Sequence, residues 1–215
     1  MIALILVAAG SGQRLGAGIP KALVEVAGNT LIGHSLLVAA QVPQIVQTVI
    51  VVPGAEVDRV SAGAGGILVV AGGATRDGSV RAGLDALDLG VEHVLIHDAA
   101  RPFAPPEVYA RVIEALLAGA SAVIPAVAVA DTIKQVRDGF VVSTVDRSDL
   151  VAVQTPQGFA VPALRAAHAG QTRMVTDDAM LMEALGHEVR VVQGSHEAFK
   201  ITTPFDLAVA RAMKE

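Results

Sequence analysis

The sequence predicts an α/β protein, with a mainly parallel sheet covered by helices. Three observations point there. Short β-branched runs alternate with longer helical patterns along all 215 residues. Those runs carry almost no polar residues, as strands buried on both faces require. Hydrophobic residues make up 53% and charged residues only 17%, so the chain can build a sizeable core and is not intrinsically disordered.

Taken in order, strands are expected at Ile2–Ala8, Thr48–Pro53, Ile67–Val70, His93–His97 and Ser121–Ala126. Helices are expected at Thr30–Ala40, Gly78–Asp88, Pro106–Leu117, Pro162–Ala169, Asp177–Leu185 and Pro204–Met213. Pro106 and Pro204 suit first-turn positions, and Gly186 suits a helix stop. From Ala130 to Gln154 the rhythm changes. Thr132–Val136 and Phe140–Val145 read as short, more polar strands joined by the hairpin signal Arg137-Asp138-Gly139. This stretch is too small for a domain, so it reads as an arm on a single body spanning residues 1–215. A two-stranded ribbon needs something to pack on, and a second subunit is one candidate.

Composition removes several function classes. Sixteen basic and 21 acidic residues give a net charge of −5, which argues against a basic groove for nucleic acid. Without cysteine there is no disulfide, thiolate metal site or cysteine nucleophile. Aromatic residues are 3%, with no Trp, too few for base-stacking platforms. No apolar run reaches the roughly 20 residues of a membrane helix, and the start lacks the basic region of a signal peptide. A soluble, cytoplasmic protein is expected.

The first strand runs into Ala8-Ala9-Gly10-Ser11-Gly12-Gln13-Arg14-Leu15-Gly16. Glycines let backbone N–H groups approach a phosphate closely. A dinucleotide fingerprint would enter its helix at once and end the second strand on an acidic residue. Here the loop continues to Pro20-Lys21 and strand two ends in Pro53, which disfavours an NAD-dependent oxidoreductase. A Walker loop is absent as well, since no Gly-Lys-Ser/Thr follows. What remains is a long loop with two cations, Arg14 and Lys21, apt for a triphosphate whose charge grows during reaction. The bland alternative for both is a solvated surface charge.

His97-Asp98-Ala99-Ala100-Arg101-Pro102 ends a buried strand, where open α/β sheets place ligands. Asp98 there could bind Mg²⁺, which prefers oxygen ligands and triphosphate, or cap a loop. Arg101 could grip a phosphate or pair with Asp98, while His97 reads as structural. Backbone groups at Gly73-Ala74 and the Ser79 hydroxyl could read a pyrimidine edge and ribose. Thr132 and Arg147 fall on separate strands of the arm and could simply keep its edges polar. Lys200 lies in an apolar strand pattern, where lysine is rarely buried unless paired.

The loop with Pro20-Lys21 resembles the signature of nucleotidyltransferases that activate sugar and polyol phosphates. Among them the chain is similar, nearly end to end, to the 2-C-methyl-D-erythritol 4-phosphate cytidylyltransferases of the non-mevalonate isoprenoid pathway. The likeness includes Gly72-Gly73-Ala74-Thr75-Arg76-Asp77-Gly78-Ser79-Val80, the His97–Pro102 segment and Asp131-Thr132-Ile133-Lys134. It continues through Asp146-Arg147, Gln154-Thr155-Pro156-Gln157, Thr176-Asp177-Asp178 and Lys200-Ile201-Thr202. The resemblance implies a Rossmann-like three-layer nucleotidyltransferase fold with a protruding β-arm. It implies transfer of CMP from CTP to the polyol phosphate, with Mg²⁺ and release of pyrophosphate. Ala8, Ala9, Gly10, Gly12, Gly73, Ala74, Ser79, Asp98 and Ala99 would hold CTP. Arg14, Lys21, Arg147 and Lys200 would carry catalysis. Arg101, Thr132, Arg147, Thr176 and Lys200 would hold the polyol phosphate, with the arm exchanged across a homodimer so that Thr132 and Arg147 reach the partner's site. A cytidylyltransferase for another polyol phosphate, such as ribitol 5-phosphate, shares the loop and fold.

Overall fold

The computed structural model describes residues 1–10, 12, 15, 19–170 and 177–214. Strand β1 (Ile2–Val7) is followed by a small hairpin, β2 (Glu25–Val26) and β3 (Asn29–Thr30), and helix α1 (Leu31–Ala39). Next come β4 (Ile45–Val52), α2 (Val57–Gly63), β5 (Leu68–Ala71), α3 (Arg76–Asp85), β6 (His93–Asp98) and α4 (Pro106–Leu117). The second half holds β7 (Ala122–Ala128), the arm strands β8 (Ile133–Arg137) and β9 (Phe140–Val145), β10 (Val151–Val153) and β11 (Gln157–Ala160). It ends with α5 (Val161–Ala169), α6 (Ala179–Ala184), β12 (Val189–Gln193) and α7 (Pro204–Ala212).

The main sheet runs β10-β7-β11-β6-β1-β4-β5, with β12 also paired to β7. β1 is parallel to β4 and β6, β4 to β5, and β7 to β12. β11 is antiparallel to both β6 and β7 and lies between them. Alternation along β1 builds three layers. Ala3 and Ile5 join Val80 and Leu84 of α3 and Leu164 of α5 on one face. Ile2 and Leu4 join Tyr109, Val112 and Leu116 of α4 on the other. Both faces being covered explains the continuous apolar run of β1.

Helix α4 starts on Pro106, whose fixed φ suits the first turn, and buries Val108, Tyr109, Val112, Ile113 and Leu116 on one stripe. It lies close to β11 because Gly158 has no side chain: a Cβ there would sit 2.5 Å from Val112 Cγ1. α7 begins with a reciprocal capping box between Thr203 and Asp206.

Several expectations are corrected here. β4 starts at Ile45 rather than Thr48, because its first residues pair with β1 although they are partly buried or, at Val46, exposed. α2 has no counterpart among the expected helices; it is seven residues long, buries none of them fully and meets the core only through the half-buried Val57 and Val60, too short a stripe to mark a helix. β10, β11 and β12 likewise have no counterpart among the expected strands. Thr132 and Arg147 are not on the arm strands but flank them, just before β8 and just after β9. The Arg147 guanidinium donates to the Ala130 carbonyl, which ties the two legs of the arm together at its base. Lys200 lies not in a strand but in the segment between the 3-10 turn His196–Ala198 and α7.

Candidate active site

A cavity of about 660 Å³ opens where β1, β5 and β6 end, the place an open α/β sheet offers a ligand. Ala8, Ala9, Gly10 and Gly12 line it from the glycine loop, Gly73 and Ala74 from the loop into α3, Ser79 from the first turn of α3, and Asp98 and Ala99 from the end of β6. Lys21 and Lys200 complete the wall. The structure therefore brings together the nine residues expected to hold CTP with Lys21 and Lys200, from segments nearly 200 residues apart. Arg14 and Thr176 lie outside the described residues.

Lys21 opens a 3-10 turn whose Ala22 and Leu23 are buried, and this anchors its backbone. Its Nζ donates to the Ile201 carbonyl at 2.8 Å, so it converges on the same strip of chain as Lys200. Gly12, with φ +65°, rests directly against Lys21. Asp98 holds Lys200 Nζ at 2.7 Å on Oδ2 and Arg76 Nε at 3.5 Å on Oδ1. Burial would raise the Asp98 carboxyl, but Arg76 and Lys200, with Arg101 further off, outweigh it and hold the group well below the usual carboxylate range. Asp98 is thus an ionised carboxylate facing the cavity between cations.

Arg76 is not among the expected site residues, yet it lines the cavity at the first position of α3. Its Nη1 lies 2.7 Å from Oδ2 of the fully buried Asp178. Burial opposes the guanidinium charge, and Asp178 and Asp98 more than restore it. It belongs to the segment Thr75-Arg76-Asp77-Gly78-Ser79 that carries part of the family likeness, but nothing local identifies a partner 102 residues away.

Two expected contacts are altered. Arg101 does not line the cavity, because Nη1 donates to the Ala198 carbonyl at 2.7 Å and Nη2 to the Val153 carbonyl at 3.2 Å. It clamps two backbone segments rather than gripping a phosphate, and it makes no close pair with Asp98. The Ser79 hydroxyl donates to the Thr75 carbonyl at 2.9 Å, leaving only its lone pairs toward a ligand. His97 is enclosed between Thr155 Oγ1, at 2.9 Å, and the Arg101 carbonyl, at 3.2 Å. Burial lowers its pKa to about 4, so it is a neutral core residue at pH 7. Thr132 and Arg147 stand exposed at the base of the arm, outside the cavity of their own chain.

A family model, IspD: 2-C-methyl-D-erythritol 4-phosphate cytidylyltransferase, matches residues 2–215. The chain belongs to this cytidylyltransferase family. The 2-C-methyl-D-erythritol 4-phosphate cytidylyltransferase of Rhodococcus opacus is 49% identical over 210 residues, which cover 97% of this chain and 92% of that protein. A "Bifunctional enzyme IspD/IspF" of Clavibacter michiganensis is 49% identical over 221 residues, 99% of this chain but only 54% of its own length. The chain thus spans about half of that relative. Among solved structures, 4-diphosphocytidyl-2C-methyl-D-erythritol synthase from Anaerococcus prevotii superposes with a TM-score of 0.87 at 33% identity, covering 100% of this chain and 98% of that one. The cytidylyltransferase from Thermus thermophilus gives 0.81 at 35% identity, with 99% and 98% coverage. The family fold accounts for the mainly parallel sheet. Among the described residues, no helix is long and apolar enough to cross a membrane.

Proposed function

We propose that this cytidylyltransferase moves CMP from CTP to 2-C-methyl-D-erythritol 4-phosphate and releases pyrophosphate. The observation that carries the assignment is the meeting of the glycine loop, Lys21, Asp98 and Lys200 around one cavity. A phosphate monoester is already anionic near neutral pH. Its oxygen can attack the α-phosphorus of CTP, forming a P–O bond as the bond to pyrophosphate breaks, with no activating base. The barrier lies in bringing two anions together, so positioning and charge stabilisation carry the rate. Lys21, and Arg14 by resemblance, neutralise the triphosphate. Lys200 leaves Asp98 for the acceptor phosphate, helped by Thr132, Arg147 and Thr176.

Asp98 suits a divalent cation. Among the described residues it is the one acidic side chain lining the cavity, and it is held ionised. Among the described residues no three acidic, His or Cys side chains could cage a metal, which fits Mg²⁺ held by one carboxylate together with triphosphate oxygens. Bound there, the ion would neutralise charge developing on the phosphates.

The arm supports a homodimer. Among the described residues its strands pair only with each other in the main-chain ladder, and Val136, Phe140, Val141 and Val142 are exposed along it. A ribbon of this kind is marginal alone and gains stability against a second subunit. In that assembly Thr132 and Arg147 complete the partner's acceptor site. Charged, freely diffusing substrates suit a cytoplasmic location. The test is pyrophosphate release from CTP and Mg²⁺ with a panel of polyol phosphates. Turnover confined to 2-C-methyl-D-erythritol 4-phosphate is expected. Preference for ribitol 5-phosphate, or no turnover with any, overturns the assignment.

A further inference from the structure

Behind the cavity, a buried histidine with no part in the reaction so far closes a chain of charges. His168, in the last turn of α5, is 3% exposed. Its Nδ1 lies 2.7 Å from Asp77 Oδ1 and its Nε2 3.2 Å from Asp178 Oδ1. These four buried atoms face one another without the in-line geometry of a hydrogen bond. Asp77 also holds Arg81 at 3.1 Å. The other oxygen of Asp178 takes Arg76 Nη1 at 2.7 Å, and Arg76 Nε reaches Asp98 at 3.5 Å. The chain of contacts thus runs from α5, through Asp178 at the start of α6 and Arg76 on α3, to the carboxylate that ends β6.

Arg76 is shared unequally between two carboxylates, and what it gives each depends on what else each has. A buried carboxylate must be compensated. With His168 against Oδ1, Asp178 needs one guanidinium nitrogen, and Nε stays free for Asp98. Without His168, Oδ1 loses its 3.2 Å contact with the imidazole, and the favourable response is for the guanidinium to turn bidentate onto Asp178. That withdraws Nε from Asp98, which then leans wholly on Lys200.

We propose that His168 is a positioning residue: by occupying Asp178 Oδ1 it keeps Arg76 divided between Asp178 and Asp98, which fixes the carboxylate facing the nucleotide and leaves Lys200 available to the acceptor phosphate. The inference rests on the cytidylyltransferase reading of the cavity. It also says which nitrogen matters. Nε2 serves the site, while Nδ1 joins α5 to α3.

Two conservative substitutions separate these roles. The amide of His168→Asn takes the place of Nδ1 and keeps Asp77, whereas that of His168→Gln takes the place of Nε2 and keeps Asp178. His168→Asn should lower kcat/KM for the polyol phosphate about 10–100-fold, the usual loss when an outer partner of a site ligand is removed. His168→Gln should stay within threefold of the parent. Adding Asp178→Asn to His168→Asn should cost no more than Asp178→Asn alone, because residues acting in series are not additive. A second readout needs no turnover. The Arg76 Nε–H resonance, identified by its loss in Arg76→Lys, should move in His168→Asn and stay in His168→Gln. Equal losses in the two variants, an additive double variant or an unmoved Arg76 resonance would overturn the proposal. If the parent protein itself fails to release pyrophosphate, the functional reading falls, and the resonance still decides whether His168 positions Arg76.

Discussion

Replacing Gly12 with alanine tests whether the glycine loop acts by fixing Lys21. Gly12 has φ +65°, a left-handed conformation that costs other residues about 1–2 kcal/mol. A Cβ there would lie 2.5 Å from Lys21 Cβ, 3.0 Å from its backbone nitrogen and 3.1 Å from its Cα. Favourable carbon–carbon contact begins near roughly 3.5 Å, so Lys21 Cβ must retreat by about 1 Å. Backbone atoms are among those struck, so the whole residue moves and a rotamer change does not relieve the clash. A displacement of about 1 Å can cost about 10²-fold in rate. kcat/KM for CTP should therefore fall about 100-fold, while about 1–2 kcal/mol of backbone strain and about 1–3 kcal/mol from displacing Lys21 together lower the Tm by about 4–20 °C in a chain of this size. The assay is initial pyrophosphate release at saturating polyol phosphate, with folding checked by circular dichroism melts. Lys21→Ala should lose about 10²–10³, as for an oxyanion donor, and the double variant should be no worse than Lys21→Ala. A Gly12→Ala enzyme within threefold of the parent, or an additive double variant, would show that this glycine does not serve Lys21.

Acid should destabilise the fold through His97. Its folded pKa, about 4, lies below the ordinary 6.5, so the unfolded chain takes up the proton first. Stability is complete above pH 6.5 and falls by about 3 kcal/mol on the way to pH 4; urea midpoints that stay flat over this window would contradict it. Excess chelator should abolish pyrophosphate release, and Asp98→Asn should raise the Mg²⁺ concentration giving half-maximal rate; an unchanged Mg²⁺ dependence removes Asp98 from the metal. Mixing inactive Arg147→Ala and Lys21→Ala chains should restore up to half of the parental activity per heterodimer, because one site then holds both intact residues. Subunits that exchange without recovery would keep Arg147 within its own chain.

The parts of this fold legible in the sequence are those whose physics is local. β1 announces itself by continuous apolarity because both its faces are covered. α4 does so through Pro106 and a clean apolar stripe. α2 is silent because no side chain on it is fully buried, and β11 is disguised by Gly158, whose role is to admit α4 rather than to favour a strand. The site divides in the same way. Asp98 and the glycines stand at strand ends, and Lys21 follows on the loop that β1 opens, so all can be read directly. Arg101 cannot, since its partners are the carbonyls of Ala198 and Val153, and backbone acceptors leave no trace in residue identity. Arg76 and His168 escape for a related reason, because their meaning lies in a charge network that only the folded chain assembles.

The antiparallel insertion of β11 also sets an order on assembly during synthesis. Residues up to Asp98 can close β5, β4, β1 and β6 into a half-sheet as soon as they emerge. The free edge of β6, with Val94, Leu95 and Ile96 all destined for full burial, then has to wait for Gln157–Ala160. β7 arrives earlier but cannot take the place, since β11 is to lie between them. At about 5–20 residues per second that wait of roughly 60 residues lasts about 3–12 s. Throughout it the nascent chain presents an apolar, unpaired edge, the kind of surface that recruits a wrong strand or a holdase chaperone.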